Sequence, residues 1–216
     1  LEFHRACQRN GEDTESQVIS IGLRYTPSVR ILFTRFPLQS AFGGAEVQTL
    51  ALMRGLAERG HEVSFLGSCR VLKREVSNVS LHASSVDIGP PPVTKLGALS
   101  FFWRRFGMQK RLIEALISHK SYLKTHTIVM LSLTEKLLLT DWAVSQGIKV
   151  IWVEHDRVGR WLTWNPWLPM LRRLSGKATT VCVSELSREI YIGLGWKPEG
   201  VVAIANGIDG AHLTHL

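Results

Sequence analysis

Few residues in this 216-residue chain combine a reactive type with a suggestive position. The first are two adjacent glycines, Gly43 and Gly44, between an apolar run and the start of a helical pattern. Glycine there is costly unless the backbone needs an unusual conformation or something must approach it closely. The opening N–H groups of a helix lack internal partners and carry the positive end of its dipole, so a glycine-lined start suits a phosphate. The other reading is a simple tight turn. Neither G-x-G-x-x-G nor G-K-[ST] is present, which argues against a dinucleotide fingerprint, a nicotinamide oxidoreductase and a P-loop. Glu46 suits the helix dipole and needs no further role.

The remaining candidates follow apolar runs: Arg35, the pair His155-Asp156, Ser184, and the turn Asn206-Gly207-Ile208-Asp209. Metal chemistry has little support. The eight histidines show no ligand spacing, and Cys7, Cys69 and Cys182 form no C-x-x-C pair. Cys182, in TTVCVS, reads as a core thiol, and the sparse cysteines fit a reducing cytoplasm.

The elements that must position these residues alternate in type. Strands are expected at 29–34, 61–66, 79–83, 127–131, 149–154, 179–183 and 201–205. Helices are expected at 45–59, 99–119, 133–146, 166–174 and 185–194. Nearly continuous apolar strands alternating with helices predict one α/β domain, a Rossmann-like, doubly wound, mainly parallel sheet. In such sheets ligands bind beyond the carboxyl ends of the strands, where every candidate above falls.

Composition bounds the rest. Apolar residues make up 45% and charged residues 20%, as in a globular protein. No apolar run reaches the ~18–20 residues of a membrane span, and residues 1–28 read as a disordered or cloning-derived tail without a signal-peptide pattern. The net charge of +8 suggests an anionic partner. The basic residues are dispersed and no nucleic-acid module is visible, so nucleic acid is not the expected partner. Two stretches mix aromatic and basic residues: SFFWRRFGMQKRLIEAL (100–116) and RWLTWNPWLPMLRRL (160–174). They suit a helix at an anionic membrane surface, or else they pack into the core.

Four segments in order resemble the N-terminal domain of family 4 retaining glycosyltransferases, which have the GT-B fold. They are FGGAEVQTLALMRGLAERGHEVSFLG (42–67), VIWVEHD (150–156), TTVCVSELSREI (179–190) and VVAIANGID (201–209). The resemblance implies the acceptor-side domain of an enzyme that moves a hexose-like sugar from a nucleotide-sugar co-substrate to a glycan or lipid-linked acceptor with retention. No metal or other cofactor is implied. It places Gly43 and Gly44 near the donor diphosphate and His155 near the transferred sugar, where its imidazole offers a donor and an acceptor. Ser184 would border the cleft with Arg35 and Asp156, and Asn206, Gly207 and Asp209 would form the interdomain turn. The expected boundaries are 29–209 for the domain and 210–216 for the start of a linker. The donor domain, with its E-x7-E motif, is not in the sequence, so the chain is expected to be inactive alone. A polysaccharide or glycolipid pathway at the inner membrane face is the family-level expectation. The competing class is a non-catalytic Rossmann-like module that binds a phosphorylated ligand or a partner protein.

Overall fold

The computed structural model describes residues 27–36, 43–118, 122, 124–155 and 160–207. The tail expected over 1–28, except for residues 27 and 28, and the linker expected over 210–216 lie outside them. Seven parallel strands form one sheet in the order β3-β2-β1-β4-β5-β6-β7. They are β1 (Arg30–Arg35), β2 (Glu62–Gly67), β3 (His82–Ser85), β4 (Thr127–Met130), β5 (Lys149–Glu154), β6 (Thr179–Cys182) and β7 (Val201–Ala203). All six pairings are parallel, with Phe33 in register with both Phe65 and Val129. The sheet is thus Rossmann-like and doubly wound, as expected.

Both sides of the strands are buried, which is why their sequences read as continuous apolar runs. Phe33, Val63, Phe65, Val129 and Val153 face α1 (Gly44–Glu58) and α2 (Arg70–Asn78). Leu32, Leu66, Ile128, Met130, Val150 and Trp152 face the other group: α3 (Lys95–Ser118), α4 (Leu133–Ser145), α5 (Leu168–Ser175) and α6 (Glu185–Gly193). Two helices on one face and four on the other follow from right-handed crossovers in a sheet that winds first one way from β1 and then the other from β4.

Three elements depart from the sequence reading, one of them α3, which begins at Lys95, four residues before the expected start. Helix α2 was not expected, because only Leu72 and Val76 are buried in a segment otherwise rich in charge. With Cys69 they make an i, i+3, i+7 stripe, enough to seat a short helix. Strand β3 begins at His82 rather than Val79, because residues 79–81 are spent leaving α2. Ser80 there adopts φ 60°, a left-handed conformation incompatible with a strand.

Candidate functional site

The winding direction reverses between β1 and β4, so the chain segments leaving their carboxyl ends diverge to opposite faces of the sheet. A crevice at such a switch point is the expected ligand position in an open α/β sheet. A cavity of about 280 Å³ lies there, bounded by Arg35 and Ala45 on one side, Ser132 and Lys136 on the other, and Glu154 and His155 at the end of β5. Trp152, Trp161, Tyr191 and Trp196 give it aromatic walls.

The glycine pair opens α1 without strain. Gly43 is the N-cap in extended backbone, φ −121° and ψ −169°, and neither it nor Gly44 is in the left-handed region. Among the described residues, a β-carbon on Gly44 would meet no heavy atom within 4 Å, and one on Gly43 would touch only Glu46 Oε2 at 3.4 Å. Gly67 is the opposite case: a β-carbon there would collide with the Arg35 carbonyl and the Phe65 ring. The described residues therefore require glycine at 67 and do not require it at 44.

Glu46 does more than complement the dipole. It is buried, accepts the Gly43 N–H at 3.0 Å through Oε2 and pairs with Arg35 Nη2 at 2.5 Å through Oε1. This locks the end of β1 to the start of α1 and takes up one of the amides expected to be bare. Glycine has no side chain to return the capping bond, so beyond Glu46 no side chain among the described residues caps the first turn. Arg35 lines the cavity but is neither exposed nor unpaired, and its Nε is buried without a partner among the described residues.

His155 reaches the same helix. Its Nε2 lies 3.1 Å from Thr49 Oγ1, and that hydroxyl donates to the Ala45 carbonyl at 2.7 Å. The single hydroxyl proton is thereby used, so the threonine oxygen accepts from His155 and Nε2 carries a proton. In the neutral ring Nδ1 is then the acceptor nitrogen. One hydrogen-bond chain joins His155 at the end of β5 to the backbone of the first turn of α1.

Lys136 and Glu154 form a buried ion pair in the wall, Nζ to Oε1 at 2.7 Å, and Lys136 lies over the Trp152 ring at 5.8 Å. Next to Lys136, the fully buried Glu135 accepts the Ser132 N–H at 2.6 Å and the Leu131 N–H at 3.1 Å through Oε1. Its Oε2 has no partner among the described residues, and burial pushes its pKa up to about 7.

The Glycosyltransferase Family 4 model matches residues 42–212, most of the chain. The chain belongs to glycosyltransferase family 4. No curated protein sequence matches it. Its fold is similar to Anabaena HepE, solved with UDP and glucose, at 16% identity and TM-score 0.61, covering 84% of this chain and 45% of that one. It is also similar to Acinetobacter baumannii MurG, at 16% identity and TM-score 0.54, covering 85% of this chain and 46% of that one. UDP-GlcNAc 2-epimerase from Methanocaldococcus jannaschii matches at 13% identity and TM-score 0.51, covering 83% of this chain and 46% of that one. The chain thus spans less than half the length of these structures. Its architecture is that of the N-terminal domain of a GT-B fold.

In this family 4 domain those residues singled out from sequence that the structure describes fall at the carboxyl edge of the sheet. Ser184 caps α6: its Oγ accepts the Ser187 N–H at 3.1 Å and donates to the Ser187 hydroxyl at 3.0 Å, so it is engaged structurally. Asn206 is exposed, and the Gly207 carbonyl accepts from Gln48 Nε2 at 3.1 Å, tying the turn to α1. Asp156 and Asp209 lie outside the described residues. Sequence reasoning missed Thr49, the buried role of Glu46, and the Lys136–Glu154 pair. The Ser132-x-x-Glu135 spacing is a readable capping box; the Lys136–Glu154 contact, between two different elements, leaves no local mark. Among the described residues no three His, Cys, Asp or Glu side chains gather as metal ligands, and no helix is long and apolar enough to cross a membrane.

Proposed function

We propose that this chain is the acceptor-side half of a retaining glycosyltransferase, using a nucleotide sugar and a glycan or lipid-linked acceptor, and inactive without a donor-binding half. The observation that carries the reading is Gly44. It opens a helix whose N-cap has no side chain and where Glu46 alone among the described residues supplies a capping bond, and a β-carbon on it would meet none of the described residues. A diphosphate arriving from a facing lobe would use it, because main-chain amides reach an anion best where no β-carbon intervenes.

In this reaction the bond from the anomeric carbon to the diphosphate breaks and one to the acceptor oxygen forms. The departing phosphate oxygen takes the acceptor's proton, so no protein nucleophile is required. The first turn of α1 stabilises the leaving charge. His155, its Nε2 proton fixed on Thr49, presents an oriented ring to the sugar. The aromatic cavity suits the acceptor: the buried Trp196 N–H and Arg35 Nε, both without partners among the described residues, are donors for an oxygen-rich molecule. The full-length protein, screened with nucleotide sugars for transfer and hydrolysis, should turn over one of them while residues 1–216 alone should not. Binding without turnover by the full-length protein would instead make it a non-catalytic module, and turnover by the 216-residue chain would refute the half-site.

A further inference from the structure

The Lys136–Glu154 pair is not explained by the core alone. A buried ion pair seldom adds net stability, because removing two charges from water offsets their attraction. Both residues instead line the cavity at the switch point. The bond between them, 2.7 Å from Nζ to Oε1, uses one ammonium proton and one carboxylate oxygen. A lysine has two more protons to donate, and a carboxylate has a second oxygen to accept.

The charges of this cavity cancel. Arg35 and Lys136, the arginine and the lysine that line it, are each paired with a carboxylate, Glu46 and Glu154. Among the described residues neither cation is left over to neutralise a phosphate. Much of the remaining wall is aromatic. Trp161 is 45% exposed and offers an accessible ring, whereas Trp152 and Trp196 are buried. The Trp196 indole N–H has no partner among the described residues. At about 280 Å³ the space lies at the small end of ligand sites, which run from about 300 to 1,000 Å³. That is room for one sugar ring and not for an oligosaccharide.

We propose that this cavity holds the terminal unit of the acceptor as a single uncharged pyranose, read by Lys136 and Glu154 through two neighbouring hydroxyls. One hydroxyl oxygen accepts from Lys136 Nζ, and the next hydroxyl donates to the Glu154 carboxylate. The C–H face of the ring lies on Trp161, and a further sugar oxygen accepts from the Trp196 indole. An acceptor ending in a phosphate would bring an unneutralised charge, and one ending in hydrocarbon would leave the lysine and the glutamate without their new partners. The inference rests on the acceptor-side reading above and narrows it to acceptors that end in a neutral sugar.

The test is a ligand-observed NMR titration of the full-length protein, without nucleotide sugar, with the methyl pyranosides of glucose, galactose, mannose and N-acetylglucosamine. At least one should bind with a Kd of about 1 mM, the affinity expected of so small a ligand, and inorganic phosphate should not displace it. Trp161→Ala, at an exposed position, should weaken it about fivefold by removing the stacking ring. Lys136→Met with Glu154→Leu removes both hydroxyl partners without stranding a charge and should weaken it about tenfold or more. Thermal melts check that both variants fold. No binding by any of the four, displacement by phosphate, or a Kd unmoved by Trp161→Ala or by the folded double variant would overturn the proposal. Transfer to another acceptor by a protein that binds no pyranoside would sink this inference and leave the enzyme reading standing, whereas pyranoside binding without transfer would do the reverse.

Discussion

Replacing Gly44 by alanine should stabilise the domain and impair the enzyme, a divergence that a tight-turn role cannot produce. The backbone there is outside the left-handed region, and a β-carbon meets none of the described residues within 4 Å. Alanine then restricts only the unfolded chain, a gain of about 0.4–1 kcal/mol. For a domain of this size that raises the melting temperature by about 1–4 °C. Transfer should move the other way. On the proposed function a methyl group at the first turn of α1 stands where the diphosphate approaches, and losing one charge-assisted hydrogen bond costs about 1.5–3 kcal/mol. That is about 10–150-fold in kcat/KM. Thermal denaturation and initial-rate transfer, measured on the same full-length preparation, give both quantities. Gly67→Ala is the control: its β-carbon collides with the Arg35 carbonyl and the Phe65 ring, so stability and rate should fall together. Unchanged kcat/KM in a stable Gly44→Ala protein, or a drop in its melting temperature, would refute the reasoning.

Two further outcomes follow from the buried charges. Glu135 has its pKa raised by burial to about 7, above the value of an exposed carboxyl. The folded state therefore holds this proton more tightly than the unfolded state. The contribution is fully present below about pH 4.5 and is lost as pH rises through about 7, up to about 3 kcal/mol. Glu135→Gln keeps an oxygen for the Leu131 and Ser132 amides but cannot titrate, so urea denaturation across this range should show a flatter pH dependence; an identical slope would show that Glu135 does not carry it. Lys136→Met strands Glu154 and should cost about 3 kcal/mol by denaturant unfolding, whereas adding Glu154→Leu should recover most of the loss. Equal destabilisation by the single and double variants would show that the pair is not the reason.

The elements that read correctly from sequence are those whose burial leaves a local pattern. Strand β5 was expected over 149–154 and observed there, because it is an apolar run between the helix-ending Gly147 and a polar loop. Helix α2 was not expected, because it is seated by only three buried side chains and its polar face dominates the composition. Within the site, His155 and the glycine pair stood out as rare residue types at strand ends and helix starts. Thr49 and Lys136 did not, because each takes its meaning from a partner that the switch point brings in from another strand.

Gly44 and Gly67 show where such reading ends. In the sequence Gly67 closes an apolar run and Gly44 opens a helical pattern, and the same rule about costly glycines applies to each. The structure separates them by what a methyl group would meet. Gly67 is explained entirely inside the domain, where β1 and β2 come too close for a side chain. No contact within the described residues explains Gly44. On the proposed function, the first turn of α1, one hydrogen-bonded threonine away from His155, is left bare for an anion, the group that gains most from main-chain amides at a helix start.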